Sequence, residues 1–224
     1  MKIKTPITKA RLRTHLAYNF WKYLIAIVGS IFAWNLIYTT TAYRAPQEKR
    51  VDLYIQSTYI TEESTEKFIK PIWESSVPDM ETVTSVILAG SADYYSNMQL
   101  SVYIMAGEGD IYLLSTADFK NFASQGAFID LAPYIESGQI NVEGIDISAG
   151  KVALVNDEGL PVGDNIQFGI PAYTLSGYTD MGMQDYGNIV MAVTTFNGNQ
   201  ENVLKFFDAF IQAGRASETG TAQQ

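Results

Sequence analysis

The sequence contains no cysteine and only one histidine. Without cysteine the chain can form no disulfide, no thiolate metal site and no lipid-modified cysteine anchor. The one histidine, His15, lies near the amino terminus, so residues 44–224 lack the imidazole of a Ser-His-Asp triad or of a histidine metal site. Paired carboxylates such as Glu108 and Asp110 could still support glycosidase chemistry, but neighbouring acids at a turn are more often solvated or capping groups. We therefore predict a chain that is not an enzyme and uses no cofactor or metal.

Charge is absent from one long stretch near the amino terminus. The run from Tyr23 to Tyr43 has no charged residue, and about 20 apolar residues are what a helix needs to cross the hydrocarbon core. Aromatic residues lie mostly toward its two ends, where they favour the headgroup region. All six charged residues before the span are Lys or Arg, which favours a cytoplasmic amino terminus. A cleaved signal peptide ending at Thr40-Thr41-Ala42 is the alternative, although the run is long and its end is bulky.

The charge balance changes after this run. The first 43 residues hold six of the 15 basic residues and none of the 24 acidic ones, so residues 44–224 carry a net charge of −15. A domain this acidic should repel nucleic acid. We predict a basic cytoplasmic tail (1–21), a single transmembrane helix (22–43), a linker (44–50), an extracellular lobe (51–214) and a disordered tail (215–224).

Strand-like and helix-like segments alternate through the predicted lobe. Strands are expected at 51–57, 82–88, 110–114 and 188–195 because these runs are short and rich in apolar or β-branched residues. Helices are expected at 62–75, with Thr61 as the N-cap, and at 94–105. A third helix should follow the capping box of Ser115 and Asp118, and a fourth should extend from Val203 to a stop at Gly214. Pro71 should shorten or kink the first of these helices. The segment 139–187 should hold loops and a hairpin near Asp157-Glu158-Gly159.

Alternating strands and helices predict a mostly parallel α/β sandwich lobe with both faces of its sheet covered. From about residue 100 the order of motifs resembles the extracellular solute-binding proteins of bacterial ABC importers, of the type II periplasmic-binding-protein-like class. The resemblance rests on the Gly-rich turn Gly107–Asp110, the strand after it, the segment Gly126–Tyr134, the crossover Gly169–Tyr173 and the final strand and helix. Gly109 stands where the family usually has proline. The resemblance implies the fold of the first lobe only.

The same resemblance implies that the second lobe of the family is missing from this sequence. In full-length members a second lobe is inserted after the crossover, whereas only about 15 residues separate Pro171 from Asn188 in this chain. The family's clamshell closure on a ligand is therefore not expected. The stretch TTTAYR after the apolar run looks like that of some membrane-anchored proteins of Gram-positive bacteria. The implied role is a binding or accessory module for carbohydrate transport, with an ABC importer as partner and a sugar as ligand. The alternatives are a structural protein that docks another surface protein and, less favoured, a surface hydrolase.

Ligands of open α/β sheets bind outside the carboxyl ends of the strands. The residues there are hydroxyls, aromatics and one carboxylate, which suit a sugar by hydrogen bonding and stacking. The predicted ligand-binding residues are Ser57, Thr58, Tyr59, Asp93, Tyr94, Tyr95, Ser115 and Tyr173. Packing at a helix start is the alternative role for Tyr94 and Tyr95. Within the apolar run, small residues such as Gly29 and Ala33 share a helix face, which permits contact with another membrane protein.

Overall fold

The structure is a computed structural model that describes residues 8–41, 43, 45–88, 94–194 and 198–215, with only the backbone of residues 10–12 and Tyr94. The chain forms two compact units, Met1–Arg44 and Ala45–Gln224. The first is helix α1, Lys9–Thr41, which departs from helical geometry only at Asn19. Its stretch Arg13–Thr41 is long and apolar enough to cross a membrane, a test that a signal sequence also passes.

Three threonines at the end of α1 form hydrogen bonds within the helix. Thr39, Thr40 and Thr41 each donate a hydroxyl hydrogen bond to a carbonyl of the preceding turn, at 2.7, 2.8 and 2.6 Å. Bonds of this kind satisfy the hydroxyls within the helix. The three threonines are therefore compatible with the apolar environment that the sequence predicts for this segment.

The second unit alternates strands and helices. Its strands are β1 (Arg50–Gln56), β2 (Thr82–Leu88), β3 (Ile111–Ser115), β4 (Lys151–Val155), β5 (Pro161–Gln167), β6 (Gly169–Pro171) and β7 (Ile189–Val193). Its helices are α2 (Glu62–Ser76), α3 (Tyr94–Met105), α4 (Thr116–Ser124), α5 (Ala132–Glu136) and α6 (Gln200–Arg215). The predicted arrangement, an amino-terminal apolar helix before an α/β lobe, is confirmed.

Five of the strands form one sheet in the order β2-β1-β3-β7-β6. Strand β1 pairs in parallel with both β2 and β3, whereas β7 is antiparallel to β3 and β6 is antiparallel to β7. Four strands thus run in one direction and β7 alone is reversed. Strands β4 and β5 form the predicted hairpin.

Both faces of the sheet are covered, because alternate residues of each strand enter different cores. On β1, Leu53 and Ile55 pack under α2 and α6, whereas Tyr54 packs under α3 and α4. The second core also contains Val152, Leu154 and Ile166 of the hairpin. Strands β3 and β7 are buried along their whole length, as expected for central strands between two helical layers.

The segment from Ala172 to Asn188 closes the lobe between β6 and β7. Its 3-10 turn Ser176–Met181 places Tyr178 in the core with no exposed surface. The Tyr178 hydroxyl donates to the Phe210 carbonyl of α6 at 3.1 Å. A Cβ at Gly214 would come within 2.7 Å of the Tyr178 ring. The prediction that Gly214 stops the last helix is wrong: α6 continues to Arg215, and glycine is there because the buried tyrosine leaves no room.

Three further local expectations have different outcomes. Thr61 caps α2, and its hydroxyl accepts the Ser64 N–H at 3.3 Å. Pro71 does not shorten α2, which continues to Ser76. The capping box at α4 is only half formed, because the Ser115 N–H donates to the Gln56 side chain at 2.8 Å.

Candidate functional site

The carboxyl ends of four strands share one edge of the sheet. Strands β1, β2, β3 and β6 end there, and β7 begins there. Neighbouring strands lie about 4.8 Å apart, so the ends of β1 and β6 are about 14 Å apart along this edge. Those predicted ligand-binding residues that the structure describes therefore follow one another in a row along this edge and do not surround one small pocket.

A partly buried hydrogen-bond network joins the ends of β1 and β3. The Gln56 amide donates to the Asp118 carboxylate at 2.8 Å, while its oxygen accepts the Ser115 N–H. The Ser115 hydroxyl also donates to Asp118 at 2.8 Å. Ser115 is 6% exposed, so its hydroxyl fixes the start of α4 and is turned away from solvent. The sequence pattern identified Asp118 as a cap but gave no sign of Gln56, whose role depends on pairing between strands.

Ser57, directly after β1, is also engaged within the fold. Its hydroxyl donates to the Asp185 carboxylate at 3.0 Å and accepts the Tyr59 N–H at 3.4 Å. This contact connects the end of β1 to the segment that precedes β7. Thr58 and Tyr59 are the exposed residues of this loop, and Tyr59 exposes 59% of its surface. Ser57 thus shapes the loop, and the two residues after it are presented to solvent.

Of the remaining predicted residues, Tyr173 and Tyr95 have described side chains and lie toward the two ends of the row. Tyr173 follows β6 and donates its hydroxyl to the Asp146 carbonyl at 3.0 Å. At the other end, Tyr95 lies in the first turn of α3 and is 78% exposed. Tyr94 begins α3, but its side chain lies outside the described part of the chain, as does Asp93. A ligand role for these residues remains a prediction.

Three grooves on the lobe lie away from this row. One, of about 420 Å³, lies between α2 and β2 and includes Trp73 and Thr84. The others, of about 470 and 500 Å³, lie beside Tyr134 and α6, and beside Pro71 and Asp180. None of the three is lined by a predicted ligand residue. Among the described residues, no cluster of three or more His, Cys, Asp or Glu side chains could hold a metal ion.

Glu108 and Asp110, the carboxylates considered above for glycosidase chemistry, lie at the opposite edge of the sheet. Asp110 precedes β3, is 6% exposed and accepts the Asp52 N–H at 2.9 Å. Burial raises the pKa of Asp110 to about 6, although the hydrogen bond from Asp52 partly opposes the shift. Glu108 accepts the Tyr54 hydroxyl at 3.4 Å. Each of the two carboxylates thus accepts a hydrogen bond from a residue of β1 at this edge of the sheet.

Gly109, between the two carboxylates, has a conformation that proline cannot adopt. Its φ is +80°, and a Cβ would come within 2.5 Å of the Tyr54 ring. The proline ring fixes φ near −65°. The departure from the resembled motif therefore reflects a different local backbone, packed beneath stacked Tyr54 and Tyr112 rings.

Solved structures with partial similarity to the chain are extracellular solute-binding proteins. A family 1 member from Alicyclobacillus acidocaldarius is 16% identical, with a TM-score of 0.40 over 58% of this chain and 32% of that one. An ABC substrate-binding protein from Listeria monocytogenes in complex with cycloalternan is 21% identical, with a TM-score of 0.35 over 54% and 28%. The N-glycan transport solute-binding protein of Streptococcus pneumoniae in complex with Man5GlcNAc is 22% identical, with a TM-score of 0.36 over 55% and 24%.

The chain spans about a third or less of the length of these three proteins. All three TM-scores are below 0.5, so the likeness by itself assigns no function. No model of a known protein family matches the sequence, and no curated protein matches it.

Proposed function

We propose that residues 45–215 form a single-lobe binding or accessory module, tethered by α1 to the outer face of a cell membrane. The observation that carries this proposal is the closure of the lobe between β6 and β7. Leu175, Tyr178 and Met181 of that segment are fully buried, so the short chain between the two strands completes the core. The row of strand ends is then left as an open surface on which Thr58 and Tyr59 are exposed.

The proposed ligand class is a sugar, bound beside an ABC importer. Exposed tyrosine rings stack on the apolar faces of sugars, and the hydroxyls beside them offer hydrogen bonds. Two proteins with partial similarity are described in complex with an oligosaccharide or a glycan. The anchoring of the module, its outward orientation and its lack of catalytic activity belong to the same proposal.

A thermal-shift screen of the full chain in nanodiscs tests the ligand class. The panel contains oligosaccharides, mannose-rich glycans and, as a different class, amino acids. A ligand present at 100 times its Kd should stabilise the lobe by about 2.7 kcal/mol, and Tyr59→Ser should abolish the shift without changing the melting temperature of the free protein. If no sugar shifts the transition, the sugar proposal is wrong.

A second candidate function is docking of another protein on the same surface. It is favoured by the internal bonding of Gln56, Ser57 and Ser115, which leaves few buried polar groups to select a small ligand. Cross-linking from a photoreactive residue at Thr58 in intact cells tests it, with Lys67 on α2 as the matched exposed control. One partner captured from position 58 and not from position 67 supports docking, and equal labelling from both positions contradicts it.

A further inference from the structure

Helix α3 carries apolar side chains on its outer side as well as on the side that faces the core. Toward the core, Leu100 is 1% exposed, and Tyr103 and Ile104 are partly buried against the same cluster. On the other side, Tyr95, Met98, Val102 and Met105 are 78, 56, 59 and 84% exposed. We call these four residues the α3 stripe. An amphipathic surface helix normally has charged or polar residues on the side away from the core.

The α3 stripe has the spacing of a helix-pairing seam. Its members are separated by three, four and three residues, the a/d pattern that brings side chains onto one line of a helix. This spacing is the same in both directions about residue 100. A two-fold axis at that point would place Tyr95 opposite Met105, and Met98 opposite Val102, of an identical antiparallel helix. The stripe is therefore complementary to itself, as an isologous interface requires.

Charge also distinguishes this helix from the rest of the lobe. Residues 94–107 contain no charged side chain, although residues 44–224 carry a net charge of −15. Two copies of such a lobe repel one another through most of their surfaces. The uncharged helix is a surface through which they can approach without placing like charges in contact.

The area of the stripe is in the range of a contact between tethered molecules. The four side chains expose on the order of 500 Å², compared with about 800 Å² per partner in a standard stable interface. An interface of this size is weak between freely diffusing proteins. Attachment of both copies to one membrane raises their effective concentration, so a weak interface is sufficient.

We propose that α3 is a dimerisation helix, which pairs in antiparallel fashion with α3 of a second copy of this chain through Tyr95, Met98, Val102 and Met105. The occupant of the stripe is thus a second copy, related by a two-fold axis near residue 100. Met98, Val102 and Met105 are not among the predicted ligand-binding residues, and Tyr95 alone belongs to both sets, so a failed sugar screen leaves the pairing unaffected.

Disulfide trapping tests the pairing, because the chain has no cysteine of its own. Two full-length copies with different tags are co-expressed in a membrane, one with Met98→Cys and the other with Val102→Cys, and are oxidised mildly. The mixed pair should cross-link several-fold more than either variant with itself, because like positions lie about 6 Å further apart along the helix axis. Copies with Lys67→Cys are the control, since Lys67 is exposed on α2 at the other face of the sheet.

A variant that disrupts the proposed interface tests the pairing without the introduced cysteines. Val102→Glu should lower the dimer fraction at least tenfold in single-molecule counting, while the melting temperature stays within about 2 °C because exposed substitutions rarely change stability. Raising the salt concentration from 50 to 300 mM should increase the dimer fraction, since it screens the repulsion between acidic lobes.

Three results would overturn the proposal. The first is a mixed-pair yield no higher than that of the Lys67→Cys control. The second is a preference for like-with-like cross-links, which contradicts the antiparallel arrangement. The third is a dimer fraction unchanged by Val102→Glu, which assigns the stripe to another occupant such as the lipid surface.

Discussion

Replacement of Asp110 by Asn should make the lobe more stable at neutral pH. The Asp110 carboxylate is buried at the amino end of β3, and its one described hydrogen bond accepts the Asp52 N–H at 2.9 Å. An asparagine carbonyl at the same place can accept that bond without carrying a charge. Because burial disfavours the charged form, the substitution removes a destabilising ionisation and retains the contact.

The magnitude follows from the pKa of Asp110, which is raised from 3.8 to about 6 in the folded lobe. The folded state binds the proton more tightly than the unfolded state, so this group contributes most to stability below pH 3.8. Its contribution decreases as the pH rises toward 6 and stays low above that value. A shift of about two units corresponds to about 3 kcal/mol. Asp110→Asn should therefore gain up to about 3 kcal/mol at pH 7.5 and almost nothing near pH 4.

Urea unfolding of residues 45–215, followed by the fluorescence of Trp73, measures this difference between pH 4 and pH 8. Asp130→Asn is the matched control, because Asp130 also accepts a backbone N–H, that of Ala132 at 2.9 Å, but is exposed. The control should show no gain at neutral pH. A variant Asp110→Asn that is less stable than the natural chain at pH 8 and equally stable at pH 4 would refute the reasoning, since the carboxylate would then be stabilised as an anion.

The remaining predictions concern packing, the open edge and topology. Gly214→Ala should destabilise the lobe by about 1 kcal/mol in the same urea titration. Overpacking against Tyr178 costs about 1–3 kcal/mol, whereas the gain in helix propensity is at most about 1 kcal/mol. Gly187→Ala is the control and should be neutral, because a Cβ at Gly187 meets no atom within 4 Å. Tyr59→Ser should change the free energy of unfolding by less than about 0.5 kcal/mol, and a larger loss in that measurement would place Tyr59 in the core. Protease added to protoplasts should remove the lobe and leave a tag at Met1 intact on an immunoblot, whereas loss of the tag would reverse the proposed orientation.

Features that depend on neighbours in sequence could be predicted well. The bounds of β2 and α3 agree with the prediction to the residue, because β-branched alternation and a closing Gly107 are local signals. The cap at Thr61 is equally local, since it needs only a hydroxyl and a free N–H three residues later. The hairpin of β4 and β5 follows from turn residues between two short strands.

Features set by contacts across the sheet could not be predicted from the same signals. Gly214 has the sequence context of a helix stop, yet its role depends on a tyrosine 36 positions earlier that packs against it. Gln56 engages Ser115 and Asp118 only because β1 and β3 lie side by side. Strand order places Ser57 and Ser115 at the edge where open α/β sheets bind ligands, but the engagement of their hydroxyls depends on Asp185 and Asp118, whose proximity no periodic pattern encodes.

The buried segment between β6 and β7 has a consequence for signalling. A two-lobed binding protein changes shape when it binds its ligand, because the connection between its lobes bends. In this chain, the segment between β6 and β7 contributes Leu175, Tyr178 and Met181 to the core, so bending it would break the fold. Under the proposed function, such a lobe would report a bound molecule only through the surface that the molecule covers, with no change in the shape of the lobe itself.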